Sequence, residues 1–549
     1  MFILLNTLWF IWELKYVLFW LYLWQLKEYH IGRFADHFRT YKGKKLLFDF
    51  IQIFKLVLLV FLLADNSLFA YLFSILFLVY FIEFLIFLRS IFLKSFKKPV
   101  KTFKIIFLTL VSFIVVILFL YWTLKLKDEL QPAWLLAFDI LTPLVVSVIV
   151  ILIQPFYVVI RNNTLRKAKD KIEKIKPISG LKVIAITGSY GKTSTKEFLS
   201  TILSNKFKVL STKEHQNSEV GIAKCILEDL KPSHQIFIAE VGAYNKGKVK
   251  EVCSILKPKI GIVTGINEQH LSLFGSLKNL LSAEGGGELA ESLPKDGILF
   301  VNGDNKYCLN LYKKTKYPNK NIYSLSSETI NSDIWSDSIT VHKNYISFLA
   351  IDKSGELAHF DVKVLGKQNV QNLLGVILIA KELGMNFGEI SEACKNISQK
   401  QAGMTLKQGK HGIDIVDSSY SANPDGVFAD LDYLSIFPNK KIIVMPCLIE
   451  LGGKSVEIHE KIGRKIASIC DLAIITSKDK FKEIKKGFDE VIEEQSADTL
   501  RHSETNVAKC LLCDNSQDIC STVTLFGKSG DVVLLEGRVP MGLINLLTE

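Results

Sequence analysis

The sequence predicts an α-helical transmembrane bundle followed by two α/β domains. Five apolar runs, each long enough to cross a bilayer, lie within residues 1–160. A short strand, a glycine-rich loop and a helix follow, and short β-branched strands then alternate with helical segments to the end of the chain. We therefore expect a transmembrane region of about five helices (1–160), a basic linker (161–178), a central α/β domain (179–401) and a C-terminal α/β domain (402–549).

Composition excludes several classes of protein. The 549 residues carry a net charge of +12, but about +7 of that charge lies within residues 1–160, mostly between the apolar runs, and the remainder shows no concentrated basic face suited to nucleic acid. All nine cysteines lie beyond residue 220 at scattered spacings. Cys510, Cys513 and Cys520 lack a fourth ligand to complete a zinc set, so buried thiols in a reducing cytosol are the simpler interpretation.

The charges between the apolar runs predict an orientation. The expected spans are 2–24, 46–64, 67–92, 104–122 and 134–160, and the first, third and final connecting segments are rich in Lys and Arg. By the positive-inside rule these segments are cytoplasmic. The sequence thus predicts a multi-pass protein of the inner cell membrane, with its N-terminus outside and residues 161–549 in the cytoplasm.

Few ionisable residues lie within the runs: Glu13, Lys15, Lys55, Glu83 and Asp139. The first four lie near the run ends and indicate either side chains that reach towards those ends or pairs between helices, whereas Asp139 lies a few residues inside its run. With so few polar groups, the bundle resembles an anchor or docking surface more than a pore. The basic stretch 161–178 is consistent with a short helix on the membrane surface that Pro177 ends, or with a plain linker.

A phosphate-binding loop is predicted directly after the first strand of the central domain. Leu181–Thr187 reads as a buried strand, and the loop and helix that follow have the spacing G-x-x-G-K-T. Glycines let backbone N–H groups surround phosphates, and the helix N-terminus adds partial positive charge. Lys192 can reach phosphate oxygens, and the Thr193 hydroxyl can bind Mg²⁺. The predicted nucleotide-binding residues are Gly188, Ser189, Tyr190, Gly191, Lys192, Thr193 and Ser194.

Two further segments supply candidate metal ligands. Gln235–Glu240 reads as a strand that ends in a carboxylate, and Glu240 is therefore a natural second ligand for Mg²⁺. Ile260–Thr264 reads as another strand, and His270 follows it. A single histidine is either a metal ligand or structural.

These motifs together resemble the Mur ligases, the ATP-dependent amide ligases of peptidoglycan synthesis, and among them the branch that adds D-alanyl-D-alanine. Coverage is about residues 180–549. The motifs that carry the resemblance, in order, are TGSYGKTST (187–195), AEVGA (239–243), TGINEQHLSLFGS (264–276), GKQNVQN (366–372), DSSYSANPDG (417–426) and IELG (449–452) with His459.

The resemblance implies a fold and a reaction. The two α/β domains would be the family's central ATPase domain and its Rossmann-like C-terminal domain. ATP would convert a muramyl-peptide carboxylate to an acyl phosphate, and an amine such as D-alanyl-D-alanine would displace phosphate. Lys192, Glu240, His270 and Glu284 would be catalytic, with Thr193, Glu240, His270 and Glu284 holding Mg²⁺. Asn372 would lie near adenine, Asp417 near ribose, and Asn423 would help close the site.

Three of the chain's departures from the family pattern bear on substrate and metal binding. Apolar runs stand where relatives carry a UDP-binding domain, so the precursor is expected to be UDP-linked or lipid-linked. Glu284 stands where many relatives carry a carbamylated lysine, and it would supply a permanent carboxylate or merely cap a helix. Glu536 stands where relatives have a basic residue, which points to different recognition of the amine.

Two other functions remain open from the sequence. One is a membrane-associated poly-γ-glutamate-type or polyglutamylating ligase. The other is a non-catalytic nucleotide-binding scaffold for other cell-wall enzymes. The retained Lys192, Thr193, Glu240 and His270 favour an enzyme.

Overall fold

The computed structural model describes the chain except residues 65–67, 94–95, 214–215, 317–318, 328–330, 421, 499–507, 540 and 549. The described residues form two compact units, Met1–Ile160 and Arg161–Glu549. Ser421, within the DSSYSANPDG motif, lies outside the described residues.

The first unit is helical. Five helices of the described chain are long and apolar enough to cross a membrane, which agrees in number with the predicted runs. Length and composition show only that such helices could cross a membrane. The helices in chain order are α1 (Phe2–Leu26), α2 (Ile31–His37), α3 (Tyr41–Leu47), α4 (Phe50–Ala64), α5 (Phe69–Phe92), α6 (Phe103–Thr123) and α7 (Gln131–Ser179).

The ionisable residues of the apolar runs meet inside this unit. Lys55 of α4 lies 2.8 Å from a carboxylate oxygen of Glu83 and 2.6 Å from Asp139, and all three side chains are buried. Glu13 is buried on α1 and accepts a hydrogen bond from a threonine hydroxyl of α7. Lys15 places its ammonium 4.0 Å from the centroid of an indole ring on its own helix. Of the two interpretations left open by the sequence, pairing between helices is the one observed for Lys55 and Glu83, and Asp139 joins the same ion-pair cluster.

The prediction of a separate basic linker at 161–178 is wrong. Helix α7 continues to Ser179, and Pro177 lies inside its last turn. Four apolar residues at helical spacing, Leu165, Ala168, Ile172 and Ile175, are buried in the core of the second unit. The stretch is therefore an amphipathic helix whose apolar stripe packs into the α/β fold, while its basic residues face outwards.

The central sheet has nine strands among the described residues, in the order β2-β3-β1-β4-β5-β6-β7-β8-β9. Neighbours from β2 to β7 pair in parallel, and β7, β8 and β9 pair antiparallel. The antiparallel strands thus extend the parallel sheet at one edge. Its strands are β1 (Lys182–Thr187), β2 (Val209–Ser211), β3 (Ile236–Glu240), β4 (Ile260–Val263), β5 (Ile298–Asn302), β6 (Lys320–Ser324), β7 (Ile334–Val341), β8 (Ile346–Asp352) and β9 (Leu357–Val362).

Helices cover both faces of this sheet, and two separate aliphatic cores lie beneath them. This layering is typical of a parallel α/β domain, in which strands are buried on both sides. The helices are α8 (Lys192–Leu203), α9 (Glu219–Asp229), α10 (Lys248–Leu256), α11 (Leu271–Phe274), α12 (Leu277–Ser282), α13 (Gly287–Ser292), α14 (Lys306–Lys314), α15 (Gln368–Glu382) and α16 (Phe387–Cys394).

The second sheet has six strands among the described residues, in the order β10-β11-β15-β12-β13-β14, with only the β10–β11 pair antiparallel. The strands are β10 (Thr405–Gln408), β11 (Asp414–Ser418), β12 (Lys441–Met445), β13 (Leu472–Ile475), β14 (Lys509–Leu512) and β15 (Val532–Glu536). The helices are α17 (Pro424–Leu434), α18 (Ser455–Ala467), α19 (Phe481–Asp498), α20 (Ser516–Phe526) and α21 (Met541–Thr548).

Candidate active site

The loop between β1 and α8 forms a cradle of backbone groups. Gly188 has φ +140° and Gly191 has φ +77°, conformations that favour glycine. A Cβ at Gly188 would overlap the Thr264 side chain, and one at Gly191 would overlap Asn372. Lys192, the first residue of α8, folds back and donates a hydrogen bond to the Gly188 carbonyl. The helix N-terminus, its lysine and the closely packed glycines make a site suited to phosphate oxygens.

Thr193 and Glu240 meet beside this cradle. Because β1 and β3 are parallel neighbours, the end of β3 lies next to the start of α8. The Thr193 hydroxyl lies 3.1 Å from each carboxylate oxygen of Glu240. Asn217 also donates to Glu240, at 3.3 Å, and the buried ammonium of Lys196 lies 3.4 Å away. A hydroxyl and a carboxylate oxygen are ligands that Mg²⁺ accepts, so these two residues fit the predicted metal.

His270 and Glu284 form a second pair. His270 Nδ1 lies 2.9 Å from Glu284 Oε1, and the Ser189 hydroxyl donates to Glu284 Oε2 at 3.1 Å. Glu284 is only 1% exposed. Burial alone would raise the pKa of Glu284, but His270, together with Lys192, holds it below the ordinary value. The same pairing raises the pKa of His270 although burial opposes this. Glu284 is therefore an ionised carboxylate that touches the phosphate loop.

The four predicted metal ligands thus form two pairs. Thr193 lies with Glu240, and His270 lies with Glu284. Ser189 contacts Glu284, and Lys192 contributes to the charge environment of both His270 and Glu284. Within the described part of the chain, no three His, Cys, Asp or Glu side chains gather into a metal cluster.

The remaining predicted residues differ in position. Asn372 lies beside the loop, where its side-chain oxygen is 3.5 Å from the Thr195 hydroxyl. Asn423 caps α17 and accepts a hydrogen bond of 3.0 Å from Asn267. The described contacts of Asp417 do not place it at the loop. Its carboxylate pairs with Lys407 at 2.6 Å within the C-terminal domain.

Sequence reasoning missed several residues that join the two α/β domains. Asn267 also donates to Asp425, at 2.7 Å, and Gln269 donates to the Ala422 carbonyl at 3.0 Å. Both residues belong to the TGINEQHLSLFGS motif. The sequence feature that could have indicated them is therefore the pair of polar side chains just before His270. These contacts bring the start of α17 against the segment that carries His270.

Two known families match the α/β part of the chain. The Mur ligase middle domain matches residues 186–380, and the Mur ligase glutamate ligase domain matches residues 404–539. Among curated proteins, the UDP-N-acetylmuramoyl-tripeptide–D-alanyl-D-alanine ligase of Borreliella burgdorferi is 33% identical over 61% of this chain and 66% of its own. The enzyme of the same name from Escherichia coli is 27% identical over 51% and 61%. The chain thus spans less than two thirds of the length of these relatives.

Solved structures show the same fold. MurF from Acinetobacter baumannii aligns with a TM-score of 0.60 and 21% identity, over 70% of this chain and 79% of its own. MurF from Thermotoga maritima in complex with ADP aligns with a TM-score of 0.57 and 22% identity, over 70% and 83%. The two α/β domains therefore have a MurF-like fold.

These relatives contradict the predicted location in the cell membrane, because the matching enzymes are soluble and cytoplasmic. The prediction rested on the length, apolarity and flanking charge of five helices. Those properties permit a membrane span but do not establish one, so the predicted multi-pass location is withdrawn.

Proposed function

This chain belongs to the Mur ligase family, through residues 186–380 and 404–539, and on that basis we propose that it is an ATP-dependent, ADP-forming ligase. It joins D-alanyl-D-alanine to a muramyl tripeptide in the synthesis of peptidoglycan precursors, as the names of its curated relatives describe for those proteins. The observation that carries the proposal is the Lys192 cradle beside Thr193 and Glu240.

ATP binds in the cradle between β1 and α8. Its triphosphate is surrounded by residues 188–194, and the tight packing at Gly188 and Gly191 supports this assignment because a side chain at either position would collide with Thr264 or Asn372 and displace the loop. Asn372 lies near adenine, and Asn423 helps close the site from the C-terminal domain. Asp417 serves the ribose, which requires it to exchange its present pairing with Lys407.

Thr193 and Glu240 would hold Mg²⁺, with His270 and Glu284 at a second position, and the ion would offset the negative charge of the phosphate oxygens. The protein supplies further charge control itself. The ammonium of Lys192 stands at the loop where phosphate charge is concentrated. Glu284 holds the His270 ring by its Nδ1 atom, which leaves Nε2 as the ring nitrogen that can face the reaction.

The reaction has two displacements. A carboxylate oxygen of the tripeptide attacks the γ-phosphorus of ATP, which forms an acyl phosphate and releases ADP. The amine of D-alanyl-D-alanine then attacks the acyl carbon, the C–O bond to phosphate breaks, and the amine gives up a proton to form the amide. Bringing a carboxylate against a triphosphate requires positive charge, and Lys192 is placed to provide it.

The test measures phosphate release by the purified full-length protein with ATP and Mg²⁺. UDP-linked muramyl tripeptide is supplied with either D-alanyl-D-alanine or glutamate. We expect release with D-alanyl-D-alanine and its loss in Lys192→Ala, with unchanged thermal unfolding. Release with glutamate alone would instead support a glutamate-adding ligase. No release with either pair would support a non-catalytic scaffold.

A further inference from the structure

A carboxylate of the C-terminal domain reaches His270 across the domain boundary. Glu450 Oε2 lies 3.8 Å from His270 Nε2, on the opposite side of the ring from Glu284. This distance is longer than a hydrogen bond but within that of an ion pair. The Glu450 side chain is only 9% exposed. His270 therefore lies between two carboxylates, one from each α/β domain.

The backbone of Glu450 is held in a costly conformation. Its φ is +68°, in the left-handed region that suits glycine and disfavours residues with a Cβ. Such strain persists only where surrounding contacts enforce it, and it often marks functional positions. Residues 452 and 453 are both glycine, so this segment accommodates glycine. The strained position is nevertheless occupied by a glutamate.

Contacts from both domains enforce this conformation. The backbone N–H and the hydroxyl of Ser272, two residues after His270, both donate to the Glu450 carbonyl, at 3.3 and 3.1 Å. Within the C-terminal domain, the backbone N–H of Leu448 donates to His459 Nε2 at 3.0 Å. His459 Nδ1 in turn lies 2.6 Å from the Ser455 carbonyl, which fixes the ring as a neutral anchor.

We infer that Glu450 is a positioning residue for His270, supplied by the C-terminal domain when the two α/β domains are in contact. Glu284 holds one ring nitrogen, and Glu450 sets the charge and access at the other. The segment 448–452, anchored by His459, delivers this carboxylate. The inference deepens the proposed ligase function and rests on it for its kinetic consequence, but the placement of Glu450 against His270 can be measured without turnover.

The experiment compares Glu450→Gly and Glu450→Gln in the full-length protein. Glycine relieves the backbone strain, so the thermal midpoint of Glu450→Gly should equal or exceed that of the parent. We expect kcat to fall at least tenfold in both variants, with KM for ATP changed less than twofold. Glu457→Gln is the matched control, because Glu457 is an exposed carboxylate in the same domain that pairs with Lys454 and Lys461.

The second readout is independent of substrates. Diethyl pyrocarbonate modifies accessible histidine nitrogens, and peptide mass spectrometry measures the rate at each site. Removal of the carboxylate beside Nε2 should raise the rate at His270 at least threefold, while buried His459 stays unchanged as an internal reference.

The outcomes separate this inference from the proposed function. Parent-like kcat in Glu450→Gly, or an unchanged modification rate at His270, would overturn the role of Glu450. Absence of ligation by the parent protein would overturn the proposed function instead, and the modification rates would still decide whether Glu450 shields His270.

Discussion

Glu284 and Glu536 are both buried carboxyls, and their surroundings lead to opposite charge states. Glu284 faces His270 and the Ser189 hydroxyl, which hold its pKa below the ordinary value. Glu536, at the end of β15, faces Asp430, which accepts hydrogen bonds from Ser418 and, at 3.1 Å, from Gln368. Burial, and next the charge of Asp430, raise the pKa of Glu536 well above its ordinary value. The surroundings thus favour the ionised form of Glu284 and the protonated form of Glu536.

Replacement of Glu284 tests whether its charge is needed. Glu284→Gln keeps the shape but removes the anion, so we expect kcat to fall by about 10²–10³. Glu284→Lys should regain part of the activity with bicarbonate, because a carbamate on the lysine restores a negative charge. Glu288→Gln is the control. Buried Glu288 accepts hydrogen bonds from backbone N–H groups at the start of α10, so its replacement should affect stability more than kcat. Unchanged kcat in Glu284→Gln would contradict the assignment.

Replacement of Glu536 tests the shared proton. The pKa values of Glu536 and Asp430 are both raised in the folded protein. The folded state therefore keeps a proton that the unfolded chain releases, and the resulting stability is complete below the unfolded pKa and is lost as pH rises through the folded pKa. Glu536→Gln cannot ionise, so its thermal midpoint relative to the parent should rise by several degrees from pH 4 to pH 8.

The control for this pH series is Glu490→Gln, which changes an exposed carboxylate that pairs with Arg464. Its midpoint should follow that of the parent at every pH. Parallel curves for Glu536→Gln and the parent would show that the Asp430–Glu536 pair does not retain a proton.

At the scale of elements, the last part of α7 belongs to the α/β fold. Within residues 161–179, four apolar side chains pack against the helices and strands of the central sheet: Leu165, Ala168, Ile172 and Ile175. At the start of this stretch, Arg161 lies 2.9 Å from Glu219 on α9 and 2.5 Å from Glu251 on α10. Apolar contacts and ion pairs together hold the helix in place.

Truncation of Ile172 measures this packing. Ile172 is fully buried, so Ile172→Ala should destabilise the second unit by about 2–5 kcal/mol through lost burial and a cavity. Lys174→Ala, on the exposed face of the same helix, should change stability by less than about 0.5 kcal/mol. Denaturant unfolding followed by circular dichroism distinguishes the two, and equal midpoints would contradict the docking of this helix.

Local sequence patterns predicted the helices and strands better than they predicted the contacts between distant segments. The five apolar runs, the strand before the glycine loop and the carboxylate at the end of β3 all follow from periodicity and spacing. The docking of 161–179 was missed although its apolar residues recur at helical spacing, because the high charge of the stretch hid the stripe. The Lys407 partner of Asp417 and the approach of Glu450 to His270 depend on contacts between distant segments, which no local pattern encodes.

At the scale of the whole molecule, two units have cores of different character. The core of Met1–Ile160 is rich in aromatic side chains, including the buried Trp9, Trp20 and Trp24. The cores of Arg161–Glu549 are mainly aliphatic. The first unit also encloses the Lys55–Glu83–Asp139 cluster, so its stability depends on buried charge as well as on apolar packing.

Replacement of Lys55 tests that dependence. Lys55→Met leaves two carboxylates buried without their cation, which should cost about 3–5 kcal/mol. Six of the seven tryptophans lie within residues 1–160, so tryptophan fluorescence reports chiefly on this unit. Lys42→Met, an exposed change in α3, serves as the control. A Lys55→Met protein that unfolds at the parent temperature would show that the cluster contributes little.

The extent of α7 also decides where the ligase domains can be cut from the rest of the chain. A fragment that begins at Leu181 would uncover the aliphatic surface that residues 165–175 now cover, and we expect it to aggregate on expression. A fragment that begins at Arg161 keeps that cover and the ion pairs to Glu219 and Glu251. The residue at which the fragment begins would then determine, more than buffer or temperature, whether the isolated domains can be purified.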